Sequence, residues 1–312
     1  METFVYTTIK IFAWLIVGGI VKFIFTKQNI TWLSNLISKK FSFLLVFVII
    51  PFFTSILIWK LGLNKDDSIL ILIAFMLILL FGLFASKKIS SKTGYSFKEI
   101  FFPITFMNTL YLGLPITEYF VSRNAVYYTI IYSIIATLLQ FTLGIALISP
   151  KYISALLTSP IIYSSIIGFI LNKTSIPIPN FISTIHNFLF SIISPMTLFF
   201  MGYSLPWEKI FHNKRLHITI SLFIRTFSGL VISLLYCVIV KIFFLPDISQ
   251  ELIKTIVLIS GLPSAVINYI ILEEFNIDTS FTTGEIIWGT FLIIFLLPYI
   301  SELLDLVILI LF

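Results

Sequence analysis

Apolar runs of roughly 18 to 25 residues, each long enough to cross about 30 Å of hydrocarbon, follow one another along this chain with only short polar connections between them. Backbone in such surroundings finds no water. Only helices, or irregular segments sheltered by protein or lining a polar cavity, are therefore open to it. Composition removes a soluble alternative. With 59% hydrophobic residues, 11% charged, 34 Phe and a mean hydropathy of +1.09, the 312 residues carry more apolar surface than one soluble core encloses.

The expected architecture is an all-α polytopic membrane protein with about ten spans, at 8–26, 42–60, 67–86, 99–120 and 124–149, then 152–171, 180–205, 216–243, 252–272 and 281–300. Breaks or kinks are expected at Pro51, Pro115, Pro160, Pro195, Pro263 and Pro298, because proline cannot donate the i→i−4 bond and crowds the preceding turn. Two of these prolines sit in the same tripeptide, Gly113-Leu114-Pro115 and Gly261-Leu262-Pro263, 148 residues apart and so close to half the chain. Pro51 and Pro195 fall in the second span of each set of five, 144 residues apart. This spacing suggests a duplication, with residues 1–149 and 150–312 as two five-helix repeats. An odd number of spans per repeat places the copies in opposite orientation, so the repeat is inverted, and interrupted helices at matching places are the sequence mark of a transporter site.

One set of span ends carries Lys22, Lys27, Lys39, Lys40, Lys87, Lys88, Lys92, Lys98, Lys151, Lys209, Lys214 and Arg215; the other carries seven basic residues. The richer side is expected to be cytoplasmic, which leaves both termini outside. The net charge of +6 needs no nucleic-acid partner, since topology and anionic headgroups account for basic loops. The first run lacks the order of a cleaved signal and is expected to be retained. Cys237 is read as a small buried hydrophobe.

Enzyme chemistry finds little to stand on. No phosphate-binding G-x-x-x-x-G-K-[ST] loop occurs, and His186, His212 and His217 stand in no metal-binding pattern, so neither a cofactor nor a metal is expected. His186 is read as a packing residue, and His212 and His217 as part of a solvated basic loop. Uncharged polar groups gather instead at the two interruptions: Asn108, Thr109 and Gly113 before Pro115, and Ser264 and Asn268 after Pro263. Half-helix N-termini carry about half a positive charge and unpaired N–H groups, which favour a carboxylate without a buried cation. Asn108 and Asn268 are thus candidate anion contacts, with interhelical hydrogen bonding as the alternative. Arg225, about a third of the way into the eighth span, needs a partner or a wet cavity unless it snorkels, and Arg225 and Glu118 are candidates for a gating or charge-partner role. Glu118 and Glu285 are candidates for a coupling proton, with simple solvation as the alternative, and Glu273, Glu274 and Asp278 read as a solvated helix end.

The run Asn108-Thr109-Leu110-Tyr111-Leu112-Gly113-Leu114-Pro115 resembles the fourth-helix signature N-[ST]-x-x-x-G-[LI]-P of the auxin efflux carrier family. Leu262-Pro263-Ser264-Ala265-Val266-Ile267-Asn268 is similar to the ninth-helix pattern P-x-A-x-x-N of its bacterial malate and malonate permeases, and Glu274-Phe275-Asn276 resembles the E-[YF]-[GN] that follows. Arg225 to Gly229 resembles the R-x-x-x-G of plant PIN-type carriers, with Leu230 in place of their proline. The likeness implies ten helices whose fourth and ninth are broken and cross. Helices 1, 2, 6 and 7 would form a scaffold, and 3–5 with 8–10 a domain that carries an organic anion by an elevator step. It implies anion contact by Asn108 and Asn268, with Pro115 shaping the first crossing. Leu110, where many bacterial members have glycine, and bulky Leu272 would alter the pocket volume. The repeat register stays open between offsets of 148 and 153. Expected partners are a small organic anion, a coupling H⁺ or Na⁺ and membrane lipids, with a homodimer left open; the expected location is the cytoplasmic membrane. A bile-acid-symporter-like sodium-coupled carrier and a non-transporting receptor on a carrier fold are the alternatives.

Overall fold

The computed structural model describes residues 2–28, 40–41, 43–149, 159–174, 176–204 and 215–311, and among them the secondary structure is helical, with one isolated bridge and no strand. In chain order the helices are α1 (Glu2–Lys27), α2 (Ile50–Leu61), α3 (Lys65–Thr93), α4 (Phe97–Thr105), α5 (Gly113–Phe120), α6 (Val126–Leu139), α7 (Pro160–Lys173), α8 (Asn180–Ser204), α9 (Arg215–Phe243), α10 (Gln250–Ser260), α11 (Val266–Glu274) and α12 (Ser280–Leu311). Four stretches, Lys65–Thr93, Val126–Gly144, Asn180–Ser204 and His217–Phe243, are each long and apolar enough to cross a membrane. The bent pair Ser280–Ile293 and Phe295–Ile310 makes a fifth if it counts as one span. Residues 152–158 of the sixth expected span, and Lys39, Lys151, Lys209, His212 and Lys214, lie outside the described residues.

The prolines act in different ways. Pro51 stands in the first turn of α2, directly after a π-helical turn, Leu44–Ile49, whose wider winding makes room for the ring. Pro160 opens α7 instead of bending it, as suits a residue with no N–H to lose at a helix start. Pro298 lies inside α12, four residues beyond a 56° bend at residue 294, whose carbonyl its ring crowds. Apolar sequence continues past residue 300, so α12 runs to Leu311 and outlasts the expected tenth span.

Helices meet through small residues, as dispersion-driven packing in lipid requires. A Cβ on Gly18 of α1 would lie 2.1 Å from the Phe199 carbonyl oxygen of α8, and one on Gly202 of α8 would lie 1.9 Å from that of Leu15. In the same way, a Cβ on Gly168 of α7 would meet the Ser55 carbonyl oxygen of α2 at 2.4 Å. The α2–α7 pair is also tied at one end: Trp59 Nε1 donates to the Ile176 carbonyl (3.0 Å) and Asn172 Nδ2 to that of Trp59 (2.9 Å). Outward faces are apolar, with Phe84, Phe181, Phe188, Leu235, Phe243 and Phe295 exposed. In water such a surface would drive association; against acyl chains it is the ordinary exterior.

The two Gly-Leu-Pro runs are not structurally equivalent. Gly113 opens α5, whereas Gly261 caps the end of α10 and Pro263 stands in the interruption itself.

Candidate functional site

α4 ends at Thr105, and Phe106 turns extended (φ −101°, ψ 108°) before the chain re-enters a helix at Gly113. α10 ends at Ser260, and α11 resumes at Val266. The two gaps cross and pair. Asn108 N–H donates to the Pro263 carbonyl (2.9 Å) and Ala265 N–H to that of Phe106 (3.1 Å), an antiparallel bridge centred on Met107 and Ser264. Each interruption thus satisfies part of the backbone that the other frees, which is how irregular chain persists away from water. Gly113 is closely packed: a Cβ there would lie 2.9 Å from Ile259 Cδ1 and 3.3 Å from Thr129 Cγ2, so the end of the Ile259 side chain would have to shift. Pro115 fits the first turn of α5, where an N–H would have no intrahelical acceptor.

The crossing gathers every uncharged candidate: Asn108, Thr109, Gly113, Pro115, Pro263, Ser264 and Asn268 all lie on or beside it, and all are buried. Their amides are used differently. Asn268 Nδ2 is shared among the carbonyls of Phe106 (2.8 Å) and Phe102 (3.2 Å) and Ser264 Oγ (3.0 Å), while its Oδ1 accepts from Gln140 Nε2 (2.6 Å). The side chain stitches both gaps to α6, at the π-helical turn Gln140–Gly144 that continues it. Asn108 is less committed. Its Oδ1 accepts from Tyr111 N–H (3.1 Å), but its Nδ2 reaches only Met201 Sδ on α8 (3.5 Å), a weak acceptor. At the start of α11, the N–H groups of Val266 and Ile267 find no acceptor among the described residues.

Beyond Asn108, α5 lies against α8. The Tyr111 ring meets Phe200 edge-on with centroids 5.4 Å apart, and Ser194 Oγ donates to Glu118 at short range. Arg123 stacks over the Phe190 ring, 4.2 Å from its centroid. Glu118 is therefore half-buried and bonded across a helix interface rather than simply solvated. His186 is buried and lies parallel to Phe53 with centroids 5.1 Å apart, the packing role read from its sequence context.

Arg225 does not snorkel. It is 1% exposed, and its Nη1 donates to the Ser260 carbonyl (3.0 Å) at the end of α10, where the helix dipole is negative. Tyr132 of α6 bonds the Ser260 hydroxyl (3.0 Å). α9 approaches this end closely because Gly229 has no side chain: a Cβ there would lie 2.0 Å from the Ser260 carbonyl oxygen. Leu230 fills the space that Gly261 leaves open, its Cδ2 lying 2.5 Å from where a Cβ on that glycine would stand. Glu285, which sequence left between a coupling role and solvation, is fully buried. Glu273 and Glu274 are exposed, and Asp278 accepts from Ser280 N–H (2.7 Å) at the start of α12, as a helix end does.

Gln140, Tyr132 and Ser260 were not anticipated. A lone amide in an apolar span marks Gln140 as a candidate on sequence grounds. The Phe102 and Phe106 carbonyls carry no side-chain signature at all.

Residues 145–301 match the family model described as membrane transport protein, a match over half of the chain that takes in the second interruption, Arg225 and Glu285. No curated protein matches the chain.

Proposed function

This chain belongs to the membrane transport protein family, that of the auxin efflux and PIN-like carriers, and from that premise we propose that it is a secondary carrier of small organic anions. The observation that carries the reading is the crossing itself. It presents two unbonded N–H groups at the start of α11 and an under-used Asn108 amide in a buried, uncharged setting. Such a setting contacts a carboxylate directly through dipoles and hydrogen bonds, with no cation in the seat itself.

In the proposed architecture, α4 with α5 and α10 with α11 each make one broken span, and the helices count as ten spans in two inverted repeats. The register of 153 is favoured over 148, because Phe97 and Gln250, which begin α4 and α10, are 153 apart, as are Gly113 and Val266, which begin α5 and α11. The close contacts repeat as well. Gly18 on α1 faces α8 and Gly168 on α7 faces α2, 150 residues apart, as an inverted pair of repeats would arrange them. We assign α1, α2, α7 and α8 to the scaffold and the remaining helices to a domain that slides against it. The contact of α5 and the gap before it with α8, through Glu118 on Ser194 and Asn108 on Met201, then becomes the sliding interface, and Arg225 holds the end of one half-helix inside the moving part. The proposed location is the cytoplasmic membrane with both termini outside.

The test is counterflow of labelled malate, malonate and an indole carboxylate by protein reconstituted in liposomes, with thermal-shift ranking of a wider carboxylate panel to choose ligands. Flux that saturates and needs an inward anion pool supports the carrier. Binding without flux points to a receptor on a carrier fold, and flux that requires Na⁺ points to sodium coupling of the bile-acid-symporter kind.

A further inference from the structure

Behind the crossing lies a group of buried polar atoms that the anion seat does not use. Glu285 on α12 has no exposed surface; the Ser221 hydroxyl and the Arg225 guanidinium, both on α9, are its polar neighbours. The Ser221 hydroxyl stands at the edge of hydrogen-bonding geometry to the carboxyl, and neither carboxyl oxygen, nor Arg225 Nε or Nη2, has a fully formed bond. Four hydrogen-bonding positions are thus left open or incomplete in one place, where burial makes each orphan expensive and an unpaired ion most expensive of all. A permanent salt bridge would close these positions. A permanently ionised but unbonded carboxylate would not be tolerated. A carboxyl that alternates between the neutral form and an Arg225-paired anion accounts for both features.

We propose that Glu285 is the proton-binding carboxyl of this carrier and that Arg225 transmits its protonation state to the interrupted span through the Ser260 carbonyl. Arg225 has one partner already, the last carbonyl of α10, one residue before Gly261. With Glu285 protonated, the guanidinium serves that carbonyl alone, and the buried site holds one uncompensated positive charge beside the crossing. With Glu285 ionised, the free Nε and Nη2 are drawn toward it, the local charge is cancelled, and the hold on α10 weakens. A bound organic anion is therefore favoured by the protonated state and disfavoured by the ionised one, and by reciprocity the anion favours proton uptake. The proton arrives from water on the loading side and leaves to water on the other, so proton and anion move together.

The charges of the neighbouring helices do not interfere. Lys98 and Glu99 at the start of α4 bond the Ile148 carbonyl and the Ser96 cap, Glu251 and Lys254 of α10 bond Ser122 and Asp305, and Glu273 and Glu274 of α11 are exposed. The hydroxyl of Tyr132 on α6 is taken up by Ser260.

The inference rests on the carrier reading, and its test separates the two. Infrared difference spectra of the full-length protein in liposomes, taken between mildly alkaline and mildly acidic buffer, should show a carboxylic C=O stretch that disappears in Glu285→Gln. In Glu285→Asp it should persist at a shifted frequency and midpoint, which keeps the assignment testable should the glutamine variant fail to fold. Across the titration, malate counterflow in the wild type should change by up to about tenfold per pH unit, and in Glu285→Gln it should lose that dependence. A band unaltered in Glu285→Gln, or no band at all, overturns the proton site even if flux is intact. A titrating Glu285 band without flux for any carboxylate supports the proton site and overturns the carrier reading.

Discussion

The Asn268–Gln140 pair should behave as a structural fastener whose loss is felt mainly as instability. Replacing Asn268 by Ala removes the donor shared by the Phe102 and Phe106 carbonyls and Ser264 Oγ, and the acceptor used by Gln140. The two carbonyls keep a partner each, since Phe102 also accepts from Phe106 N–H (2.9 Å) and Phe106 from Ala265 N–H (3.1 Å). Gln140 Nε2, in a side chain only 5% exposed, is left with nothing. An orphaned buried amide costs about 1–3 kcal/mol, to which the lost bonds add about 1 kcal/mol. Interhelical bonds in membranes average nearer 0.6 kcal/mol, so the lower end, about 2 kcal/mol, is the expectation for Asn268→Ala. Gln140→Leu removes the orphan in advance. The double variant Asn268→Ala/Gln140→Leu should then be less destabilised than the sum of its parts by about 1 kcal/mol, a coupling energy that a double-mutant cycle of unfolding in mixed detergent micelles measures. Strict additivity of the two single changes would refute the pairing and with it the account of how the gaps are held together.

Asn108→Ala should cost about 1 kcal/mol of stability, because it orphans the Tyr111 N–H that its Oδ1 accepts while its Nδ2 reaches only a thioether, and should weaken binding of the best-ranked carboxylate by about tenfold or more, as loss of a hydrogen bond to a charged group does; thermal unfolding checks the first effect and isothermal titration in detergent the second. Gly202→Val should prevent α1 from seating on α8, costing about 2 kcal/mol or more by overpacking, and should show as loss of a monodisperse size-exclusion peak. Cysteine placed at Ser91, which is exposed while the Ser90 hydroxyl is held by the Tyr95 carbonyl, should react with a membrane-impermeant maleimide only from the cytoplasmic side; labelling from outside inverts the orientation.

Much of this arrangement was legible because lipid restricts the alternatives so severely. A long apolar run reads as a helix, and Gly, Pro and Asn inside such a run mark a place where the ladder stops, so the two interruptions and the residues at them were readable in advance. The recurrence of Gly-Leu-Pro was misleading as a register: its first copy opens a half-helix and its second follows the end of one, since the same residues suit both a helix start and a terminating turn. The role of Asn268 was out of reach for another reason. Whether an amide faces a ligand or a neighbour depends on where the Phe102 and Phe106 carbonyls point, and carbonyls have no letter of their own. The burial of Glu285 was hidden by its place near the start of α12, a position that in most spans is wet.

Arg225 offers the sharpest separation between a charge that works and one that merely lies in the membrane. A snorkelling arginine would be exposed at its head and replaceable by lysine, or even by a neutral residue, at little cost. Here the guanidinium is buried and makes a directed bond to the Ser260 carbonyl, with Tyr132 fixing the same residue from the opposite helix. Lysine keeps the charge and one donor on a side chain of similar reach, so Arg225→Lys should hold the end of α10 but lose the planar fork through which Nε and Nη2 address Glu285. Arg225→Ala removes the donor and the charge together, and leaves the buried Glu285 without its cationic neighbour. Counterflow should therefore fall in the order wild type, Arg225→Lys, Arg225→Ala, with the alanine variant also the least stable of the three. Lysine and alanine variants that both transport at the wild-type rate would show that neither the charge, the bond to Ser260 nor the bulk of Arg225 matters to transport, and would refute the reasoning.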